Sequence, residues 1–333
     1  MKTTIDTPYA PQPIEPPTIS VVIAAYSSER WDDLRAAVAS IVTQSYGAHE
    51  IVVAVDNNPE LLERVRTQLP SVIAVENDGS PGAGGARNAG SAVATGDVLA
   101  FIDDDAQADA DWLATVASAL DDATLIGVGG TITPRWLTQR PWWFPREFDW
   151  VVGCTFRGSP ARARAVRNLI AANMAVRRDC FEALGGFRHE FGKVGTRSAP
   201  EETELCIRAG RHWPDRNWWF IPAAAVHHNV PAARTKLRYF LRRCWLEGIG
   251  KAELAGLVSG GDATRDERRY ATVVLPTGLL HYLGQALRLQ PAALGRAAML
   301  IVGFAYTAAG FMVGWLGSFK EPSAPSGHRD VAS

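Results

Sequence analysis

The stretch DVLAFIDDD (residues 97–105) is an apolar run of strand length that ends in three consecutive aspartates. A strand this apolar is typical of a parallel sheet that helices cover on both faces. In such sheets, ligands bind just beyond the carboxyl ends of the strands. The three carboxylates therefore stand where a ligand is expected, and their mutual repulsion requires positive charge nearby.

The segments before this run alternate between strand and helix patterns. Predicted strands cover residues 18–26, 50–59, 71–77 and 97–103, and predicted helices cover residues 31–44, 60–69 and 82–95. The strands are short apolar or β-branched runs, and the first helix repeats its apolar residues at helical spacing. Right-handed crossovers between parallel strands then predict a doubly wound α/β fold for this half of the chain.

The composition argues against several classes of protein. The chain has 333 residues, of which 47% are hydrophobic, and this is enough for a sizeable core. Its formal net charge of −1 gives no support to wholesale nucleic-acid binding, so no nucleic-acid partner is expected. The four cysteines are scattered without a CxxC pair, which favours reduced intracellular thiols over disulfides or a zinc site.

The aspartates allow two interpretations. If the chain stays extended, Asp103 and Asp105 point to one side and Asp104 to the other. Two carboxylates on one side suit Mg²⁺ or Mn²⁺. The alternative is a solvated turn whose aspartates cap a helix over residues 110–120. The position at the carboxyl edge of the sheet favours the metal site.

The glycine-rich segment SPGAGGARNAG (80–90) has the composition of a phosphate-binding helix start. It lacks the Gly-Lys-Ser/Thr of a Walker loop. It also fails the last position of the dinucleotide fingerprint and follows the third strand instead of the first. An NAD-dependent enzyme is therefore disfavoured. Arg87 and Asn88 open a helix of otherwise small residues and lie either against a ligand or on a solvated face.

A set of short motifs resembles the family 2 glycosyltransferases, which are inverting enzymes with the GT-A fold. In chain order these are SVVIAAY, the aspartate of VAVDNN, ARNAG, AFIDDDA, NMAVRRDCFEALGGF, EETELCIR and VHHNVP. Each motif is weak alone, but the ordered set is specific. The resemblance covers residues 18–232 and implies an α/β fold: a GT-A doubly wound mixed sheet with a Rossmann-like N-terminal half.

The resemblance also implies a role for each matching position. The nucleotide-sugar site would comprise Ala25, Tyr26, Asp56, Arg87, Asn88, Asp103 and Asp104. Asp105 would bind the divalent metal, Mg²⁺ or Mn²⁺. His228 matches a histidine that reaches the metal or the diphosphate in many relatives. The neighbouring His227 would face away from the site in an extended segment.

The catalytic base that the resemblance implies is Glu202. The sequence PEETEL (200–205) stands where the family usually has G-E-D-x-D-L, so a glutamate replaces the aspartate base. On a helix, Glu201 and Glu204 share one face and Glu202 points elsewhere. These two glutamates are the competing bases. The alternative without catalysis is an acid-rich helix start that the helix dipole stabilises.

The last hundred residues differ in composition and predict a helical region over residues 233–320. Residues 234–251 are basic with interleaved apolar side chains, as in a helix that lies on a membrane surface. Residues 297–319 are 23 uncharged residues, long enough to cross a bilayer, and arginines precede them. We therefore expect membrane association on the cytoplasmic face, with a buried soluble hairpin as the alternative. Residues 1–17 are predicted to be a disordered, proline-rich tail, and residues 321–333 are predicted to be a second tail.

The motifs together predict a glycosyltransferase that moves a sugar from a nucleotide-diphosphate sugar to a hydroxyl of a lipid-linked, polysaccharide or other glycan acceptor. The tryptophan-rich segment 134–153 is expected to pack mainly against the core, and Arg162, Arg164 and Arg167 to face either a phosphate-bearing acceptor or solvent. A nucleotidyltransferase is disfavoured, because no glycine follows the first strand. A non-catalytic nucleotide-sugar-binding membrane protein stays open because of the unusual Glu202.

Overall fold

The computed structural model describes residues 16–188, 192–194, 197–199, 201–257 and 265–318. Of the two predicted tails, residues 1–15 and 321–333 lie outside the described residues, as do residues 319–320 of the predicted helical region.

The N-terminal half has the predicted alternation of strands and helices. Its elements are β1 (Ile19–Ala25), α1 (Trp31–Val42), β2 (Glu50–Asp56), α2 (Pro59–Gln68), β3 (Ile73–Asn77), α3 (Ala83–Val93) and β4 (Val98–Asp103). The four strands are parallel in the order β3-β2-β1-β4. Val21 and Ile23 of β1 enter one apolar cluster, while Val22 between them enters the other. The sheet is therefore buried on both faces, as its apolar strands predict.

The second half extends this sheet with strands of both directions. It adds β5 (Ala106–Ala108), α4 (Trp112–Leu120), β6 (Leu125–Trp136), β7 (Arg164–Val166), β8 (Asn173–Arg177), α5 (Arg178–Ala183), β9 (Gly192–Val194), β10 (Arg197–Ala199), α6 (Glu201–His212) and β11 (Asn217–Val230). The order of the main sheet is β3-β2-β1-β4-β8-β6-β11-β5, and β7 pairs with β11. Strand β8 runs antiparallel to both β4 and β6. The sheet is mixed, in agreement with the GT-A fold expected from the motifs.

Strand β6 could not be recognised from its sequence, because its glycines resemble a turn. The backbone of Gly127 lies against the carbonyl of Ala175 and the ring of Trp218, and an added Cβ would overlap both. Glycine here permits close packing between neighbouring strands and does not end the strand.

The C-terminal helices join the core of the α/β part. They are α7 (Leu237–Leu257), α8 (Arg265–Arg269), a π-helical turn (Tyr270–Val274), α9 (Leu275–Leu287) and α10 (Ala292–Ser318). Phe240 of α7 packs edge-on against Trp143 and Phe144 and in a tilted contact against Phe148, all within the tryptophan-rich segment. The predicted boundary at residues 232/233 thus marks a change of secondary structure, while the hydrophobic core continues across it.

Helices α7 and α10 pack at very short distance. An added Cβ on Gly310 would overlap the backbone of Trp245, and one on Gly248 would overlap the backbone of α10 at Thr307 and Phe311. An added Cβ on Gly314 would lie 3.0 Å from the Cβ of Ala252 and 3.1 Å from the backbone of Ile249, which is a tight contact without overlap. Gly310 and Gly314 form a GxxxG pair, which therefore lies in a helix–helix contact.

Helix α10 is long and apolar enough to cross a bilayer, and within the described ranges it is the one helix that meets this condition. Its first half packs on the α/β part, where Gly303 contacts the rings of Phe148 and Phe240. Its outer side carries exposed apolar side chains, among them Ile301 and Leu316 at 59% and 57% exposure. A helix packed along one side and apolar on the other is suited to contact with lipid.

We expect Gly310→Ala to destabilise the protein by about 1–3 kcal/mol, because the new methyl group forces α7 and α10 apart. The matched control is Gly284→Ala in α9, where a Cβ meets nothing within 4 Å. There the change stabilises by up to about 1 kcal/mol through helix propensity. Melting temperatures in detergent measure both effects, and a shift of the same sign in the two variants would contradict close packing at Gly310.

Candidate active site

A large cleft opens at the carboxyl ends of β1, β2 and β4. Its volume is about 2270 Å³, and its lining includes the aspartate triplet (103–105), the first turn of α6 and one side of α7 and α10. A cleft therefore lies at the predicted edge of the sheet, and the described part of the C-terminal helices contributes to its wall.

The end of β1 and the end of β2 form one side of the cleft. Ala25 is buried, while Tyr26 is 55% exposed and lies under the guanidinium of Arg30. Asp56 accepts hydrogen bonds from the backbone N–H of Gly82 at 2.9 Å and from the amide of Asn77 at 2.7 Å. Asp56 thereby holds the glycine-rich entry to α3 at the edge of the cleft.

Arg87 and Asn88 occupy different environments. Arg87 is buried and bridges two carboxylates, with distances of 2.7 Å to Asp103 and 2.6 Å to Glu201. Asn88 makes a double contact with the backbone of Phe187, donating to its carbonyl at 2.8 Å and accepting from its N–H at 2.9 Å. Arg87 lines the cleft, whereas Asn88 is absent from the described lining and fastens α3 to the turn after α5.

Asp103, Asp105 and His228 come together as a group of potential metal ligands. One ligand atom from each lies within 4.8 Å of the others. The backbone carbonyl of Asp105 accepts from the N–H of Asn229 at 2.8 Å, which fixes the β4–β5 turn against β11. His228 Nε2 lies 3.0 Å from Asp105 Oδ1, while His227 turns away to Asp109, as alternation along a strand requires.

Two further arginines balance the aspartates. Arg30 lies 2.8 Å from Asp104 and 3.1 Å from Asp105, and Arg234 lies 3.5 Å from Asp105. Burial alone would raise the pKa of Asp105, but His228, Arg30 and Arg234 together hold that pKa well below its usual range. Asp105 therefore stays ionised, which is the state a metal ligand needs.

Asp104 behaves differently from its two neighbours. It is buried, and its Oδ2 has no hydrogen-bond partner among the described residues. Burial raises the pKa of Asp104 to about 7, although Arg30 opposes the shift. It lines the cleft floor beside Arg30 and is not part of the ligand group.

The three glutamates of α6 separate as helical spacing predicts. Glu201 pairs with Arg87, and Glu204 pairs with Arg208 at 2.8 Å. Glu202 lines the cleft, and the structure gives its side chain no ion pair with a described residue. Burial, together with the charge of Glu201, raises the pKa of Glu202 to about 7.

The arginines considered for the acceptor also separate. Arg162 and Arg164 are exposed in the lining of the cleft. Arg167 donates to both carboxylate oxygens of Glu267 at 2.8 and 2.9 Å, so its charge is largely committed to tying the α/β part to α8.

Sequence reasoning missed Arg30 and Arg234 as members of this site. Three adjacent carboxylates require compensating charge, which is the one signal that could have directed attention to them. That signal does not say which of the 34 lysines and arginines supply the charge.

The sequence is similar to those of known glycosyltransferases. The model of the family described as Glycosyl transferase family 2 matches residues 20–185. The glucosyl-dolichyl phosphate glucuronosyltransferase of Haloferax volcanii is 32% identical over 308 residues, which cover 90% of this chain and 96% of that protein. The succinoglycan biosynthesis protein ExoM of Rhizobium meliloti is 29% identical over 205 residues, which cover 59% of this chain and 62% of that protein.

Two solved structures share the fold. A mannosyltransferase from Pyrobaculum calidifontis, in complex with GDP-Man and Mn²⁺, superposes with a TM-score of 0.60 at 19% identity and covers 96% of this chain and 92% of its own. GalNAc-T7 with UDP, GalNAc and Mn²⁺ superposes with a TM-score of 0.51 at 17% identity and covers 77% of this chain and 54% of its own. Both likenesses concern the fold.

We expect Asp105→Ala to abolish Mn²⁺ binding, because it removes the one ionised carboxylate that contacts His228. The matched control is Asp109→Ala, which removes an exposed carboxylate outside the ligand group. Calorimetric titration with Mn²⁺ alone, and with UDP or GDP added, measures the difference. Equal Mn²⁺ affinity in the two variants would refute a metal site at Asp103, Asp105 and His228.

Proposed function

This chain belongs to glycosyl transferase family 2, and from that premise we propose that its cleft transfers a sugar, with inversion, from a nucleotide-diphosphate sugar to a hydroxyl of a lipid-linked glycan. The observation that carries the proposal is the arrangement on one cleft of an ionised Asp105 beside His228 and a desolvated Glu202. The pair of Asp105 and His228 suits a diphosphate leaving group, and Glu202 suits removal of a proton from an acceptor.

The donor is proposed to bind across the carboxyl ends of β1, β2 and β4. Tyr26 offers an exposed ring beside the buried Ala25, and Asp56 lies where it can accept a hydrogen bond from a base. Arg87 is already directed at Asp103, so we propose that it orients this carboxylate toward the ribose or sugar. Asn88 would act on the donor only indirectly, through the position of α3.

A divalent cation is proposed to bind Asp105 and His228, with Asp103 as the third group. Carboxylates suit both Mg²⁺ and Mn²⁺, whereas an imidazole nitrogen favours the transition metal, so we propose Mn²⁺. When bound, such a cation offsets the negative charge that develops on a leaving diphosphate. Arg30 and Arg234 lie beside the same carboxylates and add fixed positive charge to this end of the cleft.

Glu202 is proposed to act as the general base. The acceptor oxygen forms a bond to the anomeric carbon while its proton passes to the Glu202 carboxylate. The bond from the anomeric carbon to the diphosphate oxygen breaks, and the nucleoside diphosphate leaves with the electron pair. A base with a pKa near the working pH is the most effective, and general base catalysis raises the reaction rate about 10²–10⁴-fold. Glu201 and Glu204 suit this role less, because each is held by an arginine.

The acceptor is proposed to carry both phosphate and lipid. Arg162 and Arg164 supply exposed positive charge to the cleft, and Phe304, Phe311 and Met312 of α10 give it an apolar wall. A charged group beside an apolar wall fits a polyprenyl-phosphate-linked sugar better than a free polysaccharide. The name of the Haloferax volcanii relative, which includes a glucosyl-dolichyl phosphate, supports the same class.

The enzyme is proposed to work at the cytoplasmic face of the cell membrane. Exposed apolar side chains on α9 and α10, such as Leu280 at 69% and Leu287 at 87% exposure, would enter the lipid. Because the first half of α10 packs on the α/β part, we favour a helix that lies in the membrane surface over one that crosses it. Arginines near the start of α10 fit an anionic inner leaflet.

Glu202→Gln is expected to abolish transfer while donor binding persists, and Glu202→Asp to retain part of the activity. In the wild type, the rate should rise as the pH passes upward through about 7, because the base must lose its proton to act. Pre-steady-state rates over a pH series, with Glu63→Gln on the exposed side of α2 as the control, measure this. A Glu202→Gln variant with wild-type rates would move the base to another group.

Transfer is expected with a short-chain polyprenyl-phosphate sugar and not with the same free sugar. Radiolabelled donors with uracil, guanine or thymine bases, each tested with Mn²⁺, identify the pair that reacts. Phe311→Ser should raise the KM for the lipid acceptor and leave the KM for the donor unchanged, because only the apolar wall is altered. Equal use of free and lipid-linked sugars would reject the lipid-linked acceptor while leaving the transferase intact.

A further inference from the structure

A second, smaller cavity lies between the 3₁₀-helical segment Arg146–Val152 and helices α9 and α10. Its volume is about 390 Å³, and four arginines line it: Arg140, Arg146, Arg157 and Arg296. None of its lining residues belongs to the described lining of the active-site cleft. We call it the arginine cavity.

Two of the four arginines are balanced by buried carboxylates. Arg140 contacts Asp149 at 2.5 Å, and Arg157 contacts Glu147 at 3.2 Å. These pairs hold the guanidinium groups in place and cancel two of the four positive charges.

The other two arginines keep their charge. Arg296 donates through Nε to the backbone carbonyl of Trp142 at 2.9 Å, a neutral partner. The exposed side chain of Arg146 forms no ion pair with any residue that the structure describes. The arginine cavity therefore carries an excess of two positive charges, which favours an anionic ligand.

The cavity is also built to hold its charged groups in fixed positions. The ring of Tyr282 lies 5.5 Å from the guanidinium carbon of Arg157 and 5.9 Å from that of Arg296. Its hydroxyl donates to buried Glu147 at 3.0 Å. Planar guanidinium groups held in this way match the geometry of a phosphate.

We propose that the arginine cavity binds the phosphate of an anionic lipid headgroup and so anchors α9 and α10 to the membrane. Exposed leucines on the same helices and on the turn between them argue for a lipid: Leu280, Leu283, Leu287, Leu289 and Leu294. Leu287 and Leu289 are 87% and 91% exposed, which is unfavourable in water and favourable in acyl chains. The leucines and the arginine cavity thus share α9 and α10, although none of the leucines lines the cavity, and a headgroup phosphate above acyl chains would engage both.

This inference rests on the membrane association proposed above, and the test separates the two. Binding of the full-length protein is measured with vesicles of phosphatidylcholine alone and of phosphatidylcholine mixed with phosphatidylglycerol. The exchange of Leu287 and Leu289 for serine should weaken binding to both vesicles, because it removes apolar contacts. If the wild type binds neither vesicle, the membrane association itself fails.

Arg146→Gln tests the arginine cavity, because its exposed side chain can be replaced without loss of an internal ion pair. We expect it to weaken binding to the phosphatidylglycerol vesicles about fivefold and to leave binding to neutral vesicles unchanged. The matched control is Arg66→Gln on the exposed side of α2, which removes one positive charge outside the cavity. Melting temperatures confirm that both variants are folded.

Three results would overturn the proposal. Equal weakening by Arg146→Gln and Arg66→Gln would indicate diffuse surface charge instead of a site. Equal binding of the wild type to neutral and anionic vesicles would reject the headgroup while leaving membrane association intact. If inorganic phosphate raises the melting temperature of the wild type but not of Arg146→Gln, and anionic lipid has no effect on either, the cavity binds free phosphate.

Discussion

The compensation of the aspartate triplet (103–105) is the constraint on which the rest of the structure depends. Three adjacent carboxylates in a largely buried position repel one another strongly, because the surroundings screen charge poorly. The chain offsets this with Arg30 after β1, Arg87 in α3 and Arg234 after β11. These arginines come from separate segments, so the carboxylates can be stabilised only when β1, β4 and β11 are already neighbours. The site is therefore complete only in the folded sheet.

The sequence predicted the parts of this arrangement that depend on local patterns. Strands β1 to β4 are continuous apolar runs, and their parallel order follows from the helices between them. The motifs assigned Asp105 and His228 to the same site, and in the structure Asp105 Oδ1 lies 3.0 Å from His228 Nε2. Strand β6 and the arginines Arg30 and Arg234 were not predictable in the same way. The glycines of β6 are explained only by the backbone of a neighbouring strand, and an arginine shows its partner only in three dimensions.

The C-terminal helices belong to the same hydrophobic core as the α/β part. Phe240 of α7 enters the same apolar cluster as the strands, and Glu147 of the α/β part is held by Tyr282 of α9. A composition change at residue 232 suggested a separate region, but composition does not report which core a helix joins. As a result, helix α10 is fixed relative to the aspartates. This holds both for the side of α10 that lines the active-site cleft and for its exposed outer side. On the proposed function, a lipid-linked acceptor could reach the cleft without leaving the membrane surface.

The three glutamates of α6 explain how a glutamate can replace the family's usual aspartate. Residues 201 and 204 lie on one helical face, and each forms an ion pair with an arginine, which holds its carboxylate in place. Residue 202 points to the cleft, where burial and the charge of Glu201 raise its pKa to about 7. An ion pair would hold this group in place and lower its basicity, whereas desolvation without a cation partner makes it a better proton acceptor. The extra methylene changes the reach of the carboxylate, and the raised pKa of Glu202 supports its proposed role as the general base.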